Sequence, residues 1–402
     1  MKPILLPYGR PEPIPIDTPA GTKTVFLRGP AGVAAGDVGQ RLRRALDTPL
    51  VVPPLERHVV AGDRVAVALS GPVPCAAVVV AAVRERLEQA GVSPSDTIVL
   101  RAPPIAGLEG SGRGDEIPGS VSFDPGHESE TAYIAADPDG NALHLARVLV
   151  DADVVVTVGV TTWDAALGGP ALDGDLWPTF ARRESREGVV RRLARSGRRG
   201  LEALRERSRE IGWQLGAMAS LRVVPGHDDS LHAALFGTPS SAAEGALARA
   251  RGWRPRVSGR ADLALASLSD PAGGWTPVVR AVAAAARAVR PDGTVCLASR
   301  LADPPGPVLL RWRQGAALVP LVSEALRSGD PALVADACIT RFLARALGER
   351  RLVLLSDLDG ESVEELDFGH AADPQAIERL ASRARELVVL HEADRMHPRR
   401  IG

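Results

Sequence analysis

The chain has 402 residues, enough for two or three hydrophobic cores rather than one. Hydrophobic residues make up 45% of it and charged residues 24%, which excludes a disordered or fibrous chain. A formal net charge of -1 offers no global field to nucleic acid or to an anionic membrane, and 3% aromatics leave few platforms for stacking bases.

Lysine occurs only as Lys2 and Lys23, so nearly every positive charge is an arginine. Cys75, Cys296 and Cys338 lie far apart among apolar neighbours and read as buried free thiols. With no leader-like N-terminal segment and no apolar run long enough to span a bilayer, a soluble cytoplasmic protein is expected.

In chain order, residues 64–69 form a short valine- and alanine-rich run that reads as a buried strand stopped at Gly71-Pro72. A helix over 75–91 follows, closed by a glycine, then strands over 97–100 and 153–159 with the near-continuous apolar character of parallel strands. The stretch 107–140, rich in Gly, Asp, Ser and Pro, reads as a solvated loop. Residues 182–210 carry eleven Arg against five Glu; a solvated helical pair is the plain reading, an anion-facing surface the alternative. A short polar link at 253–258 marks the expected domain boundary. Beyond it, strands at 262–269, 293–299, 351–357 and 387–391 alternate with helices at 277–290, 318–328, 331–347 and 373–386. The expectation is α/β, two doubly wound domains with a cleft between them.

The run Ala45-Leu46-Asp47-Thr48-Pro49-Leu50, then Pro53-Pro54-Leu55, then GDRVAVALSGPVP ending at Pro74, resembles the amino-terminal domain of the LarA family. These are the lactate racemases that use a nickel-pincer nucleotide. Leu6-Pro7-Tyr8-Gly9 fits the same family, as does the order of later pieces: ADVVVTVG, the Gly168-Gly169 pair, LRVVPG with LHAALFGTPSSAAEGALARA, and DLALASLSDP with RPDGTV. The resemblance covers nearly the whole chain. It implies a domain over 1–255, rejoined by 386–402, and a smaller one over 259–385.

The residues that carry the family's chemistry are substituted. Where the resemblance calls for Asp-His-Thr-Arg-Pro-Val-Pro, with an arginine for the substrate carboxylate, this chain has Ser70, Gly71 and Pro72-Val73-Pro74. Where it calls for the first catalytic histidine, Pro103-Pro104-Ile105-Ala106 stand; where it calls for the second histidine and the cofactor lysine, Thr162-Trp163-Asp164 and Gly168-Gly169-Pro170-Ala171 stand. Residues 179–189, the place of the nickel-binding histidine, contain none. The histidines present, His58, His127, His144, His227, His232, His370, His391 and His397, show no metal-ligand spacing and read as surface or supporting groups. No metal site and no cofactor are therefore expected.

What remains is a cleft lined by Ser70, Gly71, Trp163, Gly168, Gly169, Arg280 and Arg290, with Asp164 as the candidate acid or base if the Trp163 ring buries it. Arg280 and Arg290 correspond to places where the family carries basic residues. The expected ligand is a small anionic metabolite. Two functions follow: a divergent enzyme acting on a small 2-hydroxy acid or related anion, or a non-catalytic member that binds a small ligand or a protein. The enzyme needs at least two titratable side chains converging on the cleft, whereas a binder tolerates a filled one.

Overall fold

The computed structural model describes residues 4–17, 21–109, 117–136, 140, 142–172 and 176–401. Part of the glycine-rich stretch, 110–116, lies outside the described residues.

Two six-stranded sheets organise the chain. The first runs, in spatial order, Leu231–Gly237, Ala219–Pro225, Val154–Val160, Val65–Ser70, Thr97–Arg101 and Ser120–Ser122, parallel except for its first strand. Every residue of Val65–Ser70 and of Ala219–Pro225 is buried, as covering both faces of a parallel sheet requires. Ser120–Ser122 extends the edge of this sheet and Thr131–Ala136 pairs with Ala142–Ala146, so the stretch expected to be loop contributes two further pieces of strand.

The second sheet is parallel throughout, in the order Gly369–His370, Arg351–Leu355, Val289–Ala298, Ala261–Ser267, Glu386–Leu390 and Lys23–Leu27. This corrects the expected division of the chain. Glu386–Leu390 does not return to the first sheet; instead the N-terminal strand Lys23–Leu27 crosses to the second, in register Glu386 to Lys23 through Leu390 to Leu27. Lys23–Leu27 is an edge strand with only Leu27 buried, so it lacks the apolar run that marks a covered strand.

Helices cover the sheets where the periodicity placed them. Leu318–Ser328 and Pro331–Leu347 match the expected bounds, and Asp330 and Asp373 cap their helices through Ala332 N–H at 2.8 Å and Ala376 N–H at 2.7 Å. The arginine-rich segment forms the helices Arg183–Ser196 and Leu201–Gln214. No helix among the described residues is long and apolar enough to cross a membrane.

The expected polar link is not a free hinge. Trp253 is wholly buried, its indole N–H donates to the Pro225 carbonyl at 2.8 Å, and its ring fills the place a Cβ on Gly29 would need. Arg256–Val257 then pairs with Arg399–Arg400. One hydrophobic cluster, including Leu193, Val282 and Leu343, joins helices of both sheets. Cys338 is buried within it and Cys296 in a separate cluster with Leu265 and Leu387, and burial pushes both thiols up to about 12; Cys75 is only half-buried.

Candidate functional site

The loop after Val65–Ser70 turns at Gly71, whose φ of +77° is the left-handed geometry glycine adopts without strain. Ser70 is 2% exposed and turned back into the sheet, its hydroxyl 3.4 Å from the Val158 carbonyl. Gly159 makes room for this arrangement: a Cβ there would stand 2.7 Å from the Arg222 guanidinium and 3.1 Å from Ser70 Oγ. The following helix starts at Ala76 with Cys75 left-handed at its N-terminus and no side-chain cap.

Trp163–Asp164 pairs antiparallel with Gly169–Pro170, closing a tight hairpin. Asp164 Oδ1 accepts from Leu167 N–H at 2.9 Å, and Oδ2 lies 3.0 Å from Arg280 Nε. Arg280 sits on the helix Trp275–Ala285, which covers the second sheet, and its Nη2 donates to the Leu108 carbonyl at 2.8 Å. Two predicted residues thus meet across the two sheets as an ion pair, Asp164 being 2% exposed. Leu108, Leu167, Val279, Ile339 and Phe342 crowd the pair and leave a cavity of about 20 Å³. That is room for about one water. A larger cavity, about 360 Å³, lies beside the helix Val38–Asp47 and is lined by Arg41, Thr48, His232 and Arg249, with no predicted residue in it.

Gly168 and Gly169 serve the arginine-rich segment. At Gly168, with φ +80°, an added Cβ would stand 2.6 Å from Arg198 Cζ, and at Gly169 one would lie 3.5 Å from Arg205 Nη2. Arg198 donates to the Ala165 and Ala166 carbonyls at 2.6 and 2.8 Å, and Arg205 to the Pro170 carbonyl at 2.9 Å. Arg186 is 5% exposed and donates to the Thr179 and Pro103 carbonyls, each at 2.5 Å. The segment is therefore only partly a solvated face; several of its guanidiniums hold loops of the first sheet. Gly168→Ala should cost about 1–3 kcal/mol by combining backbone strain with displacement of Arg198. Gly188→Ala, in a helix with open space around the position, should be neutral or stabilising. Urea unfolding of the two variants checks the contrast.

Arg290 does not join this group. It is exposed, near the start of Val289–Ala298, and pairs with Asp292 at 3.0 Å. The helix expected to carry it ends at Ala285, so Arg280 faces the sheet-to-sheet boundary while Arg290 lies beyond the helix end.

Trp163 is 7% exposed, donates to the Ala250 carbonyl at 2.9 Å, stacks with His397 at a centroid distance of 6.0 Å, and carries the Arg254 guanidinium 4.2 Å over its ring. Of the two places the sequence allows His397, surface or supporting, its 5% exposure excludes the surface. His391, which follows Glu386–Leu390 directly, is 5% exposed as well.

A second polar centre was missed in the sequence. Glu392, with φ +57°, accepts from Asp228 N–H at 2.6 Å, while Arg395 reaches Asp229 Oδ1 at 2.5 Å and Arg28 pairs with Asp228. Asp394 accepts from the Ser269 amide and hydroxyl. Burial pushes the Glu392 carboxyl up to about 7 and the His391 imidazole down. The ligand atoms of Asp228, His391 and Glu392 lie within 4.8 Å of one another, but Arg28 and Arg395 already set positive charge against these carboxylates. The centre ties the turn at 226–230 in the first sheet to the carboxyl end of the second. The available signal was the run His391-Glu392-Ala393-Asp394-Arg395 at the carboxyl end of a parallel strand, the end where α/β folds gather function.

No family model and no curated protein matches the chain. Among solved structures, the lactate racemase apoprotein from Thermoanaerobacterium thermosaccharolyticum superimposes with a TM-score of 0.74 at 17% identity, covering 99% of this chain and 100% of that one. A structural-genomics crystal structure of a protein from Thermotoga maritima superimposes with a TM-score of 0.63 at 12% identity, covering 93% of this chain and 100% of the other. The fold is thus that of a lactate racemase, at a sequence distance that leaves room for a different function.

Proposed function

We propose that this chain is a lactate-racemase-like protein that binds a small anion without racemising it. The observation that carries the reading is the buried Asp164–Arg280 pair, which leaves a cavity of about 20 Å³ where a cleft was expected. That space holds about one water, so neither a small 2-hydroxy acid nor a nucleotide is accommodated beside Asp164. The donor set points the same way. A nickel-pincer nucleotide does not fit here: Pro170 and Ala171 stand where an attaching lysine would be needed, and no lysine follows Lys23. Racemisation needs a proton- or hydride-handling group on each face of the substrate carbon. Asp164 is occupied by Arg280 and by Leu167 N–H instead.

Purified protein co-expressed with cofactor-synthesis enzymes should contain no stoichiometric nickel by mass spectrometry and should not interconvert the lactate enantiomers. Stoichiometric nickel or measurable racemisation would overturn the proposal. The divergent-enzyme reading draws on one observation, the buried Glu392 pushed up to about 7 beside His391. A carboxyl titrating near neutrality suits acid–base chemistry. The 2.6 Å hydrogen bond from Asp228 N–H and the Arg395 guanidinium at 3.6 Å favour a fastening role.

A further inference from the structure

Four arginines from separate segments lie near Trp163 and His397. Arg254 lies over the Trp163 ring at 4.2 Å. Arg287 donates its Nε–H to the Pro398 carbonyl, next to His397, and Arg399 is held by its backbone N–H on the Pro255 carbonyl at 2.8 Å. Arg198 is fixed on the Ala165 and Ala166 carbonyls, immediately after Trp163-Asp164. Some arginines elsewhere on the chain have carboxylate partners, as in Arg86 with Asp47 and Glu56, and Arg395 with Asp229, whereas others, such as Arg186, bond to carbonyls. Among the described residues, none of these four makes an ion-pair contact with a carboxylate. Burial is the main cause of the lowered pKa values of Arg198, Arg254 and Arg287, and neighbouring guanidiniums add to it: Arg345 and Arg287 at Arg198, where Asp164 acts in the opposite direction, Arg399 at Arg254, and Arg400 and Arg254 at Arg287.

At their centre, His397 is 5% exposed and its Nδ1 is buried with no hydrogen-bond partner among the described residues. Burial, then Arg287, Arg254, Arg198 and Arg399, push this imidazole down to about 4, so it is neutral at pH 7. A concentration of like charge around an unmatched buried polar atom is unfavourable by itself, and an incoming oxyanion relieves both defects. Guanidinium forks match the oxygens of phosphate-class anions bidentately. Arg399 is exposed and Arg198, Arg254 and Arg287 are half-buried, so these arginines keep contact with solvent. Trp163, at 7% exposed and already stacked, has little surface for a base, which favours recognition through the phosphate oxygens alone.

Building on the anion-binding reading above, we propose that Arg198, Arg254, Arg287 and Arg399, with His397, form a binding site for a small multivalent oxyanion of the phosphate class, inorganic or the head of a phosphate ester. The test is calorimetric titration of the full-length chain with inorganic pyrophosphate and with a simple sugar phosphate, in chloride buffer of constant ionic strength. At least one of the two should bind in the micromolar range, and the tighter one identifies the source. Arg254→Gln and Arg399→Gln should each weaken it about tenfold or more, the loss of one charge-assisted contact, with the melting temperature of the unliganded protein unchanged or raised. Arg290→Gln, at an exposed arginine outside the group, should leave affinity unchanged. Should a variant fold poorly, the corresponding lysine substitution keeps the charge without the fork and should bind between wild type and the glutamine variant. Absence of binding by the wild type up to millimolar pyrophosphate and sugar phosphate, retention of affinity in Arg254→Gln/Arg399→Gln, or tighter binding of a single-stranded oligonucleotide would overturn the assignment. None of these outcomes alters the nickel content or racemisation that tests the preceding proposal.

Discussion

Arg280→Met should lower the unfolding free energy by about 3–5 kcal/mol, the usual consequence of leaving one member of a buried ion pair without the other. Asp164 is 2% exposed, so water cannot replace the lost guanidinium, and the Leu108 carbonyl loses its donor as well. The double variant Asp164→Leu/Arg280→Met should recover most of that loss, because Leu167, Val279 and Phe342 already offer an apolar surround. Urea unfolding of the wild type, both single variants and the double variant completes the cycle. If Arg280→Met proves neutral, the pair is not what closes this region. If the double variant is as unstable as the single one, the cost lies in packing or in the Leu108 carbonyl rather than in an unpaired charge.

Glu392→Gln should change the pH dependence of stability. Burial raises the Glu392 carboxyl from 4.5 to about 7, with Arg395 acting in the opposite direction. A carboxyl whose folded-state pKa lies above its unfolded value binds its proton more tightly in the folded chain. Its stabilising contribution is complete below pH 4.5 and is lost as pH rises through about 7. The upper bound on that loss is about 3 kcal/mol between pH 5 and pH 8. Glutamine keeps an oxygen to accept the Asp228 N–H, bonded at 2.6 Å in the wild type, without the titration. Relative to wild type, the variant should therefore gain stability from pH 5 to pH 8. Comparing the two proteins at each pH removes the opposite contributions of His391 and His397, whose pKa values are lowered. A constant difference across that range would mean that Glu392 is not perturbed by burial.

The alternation of apolar runs with amphipathic segments was sufficient to place most strands and helices, because a parallel strand buried on both faces must be apolar almost without a break. Val65–Ser70 and Val154–Val160 are strands of that kind, and the helix Pro331–Leu347 shows the amphipathic period instead. Lys23–Leu27 escaped notice because an edge strand has one ladder and little burial, and its pairing with Glu386–Leu390 is a contact between distant parts of the chain that leaves no local pattern. The same division holds at the site. Trp163, Asp164, Gly168 and Gly169 stood out through the family resemblance, as the residues standing where it calls for a histidine and a lysine, but their partners Arg280, Arg198, Arg254 and His397 come from segments between 30 and 234 residues away, and only packing selects them. Local periodicity records which face of an element avoids water. Which buried charge meets which, and whether a cleft stays open or is filled by an ion pair, depends on how two sheets settle against each other, and that is a property of the folded chain as a whole.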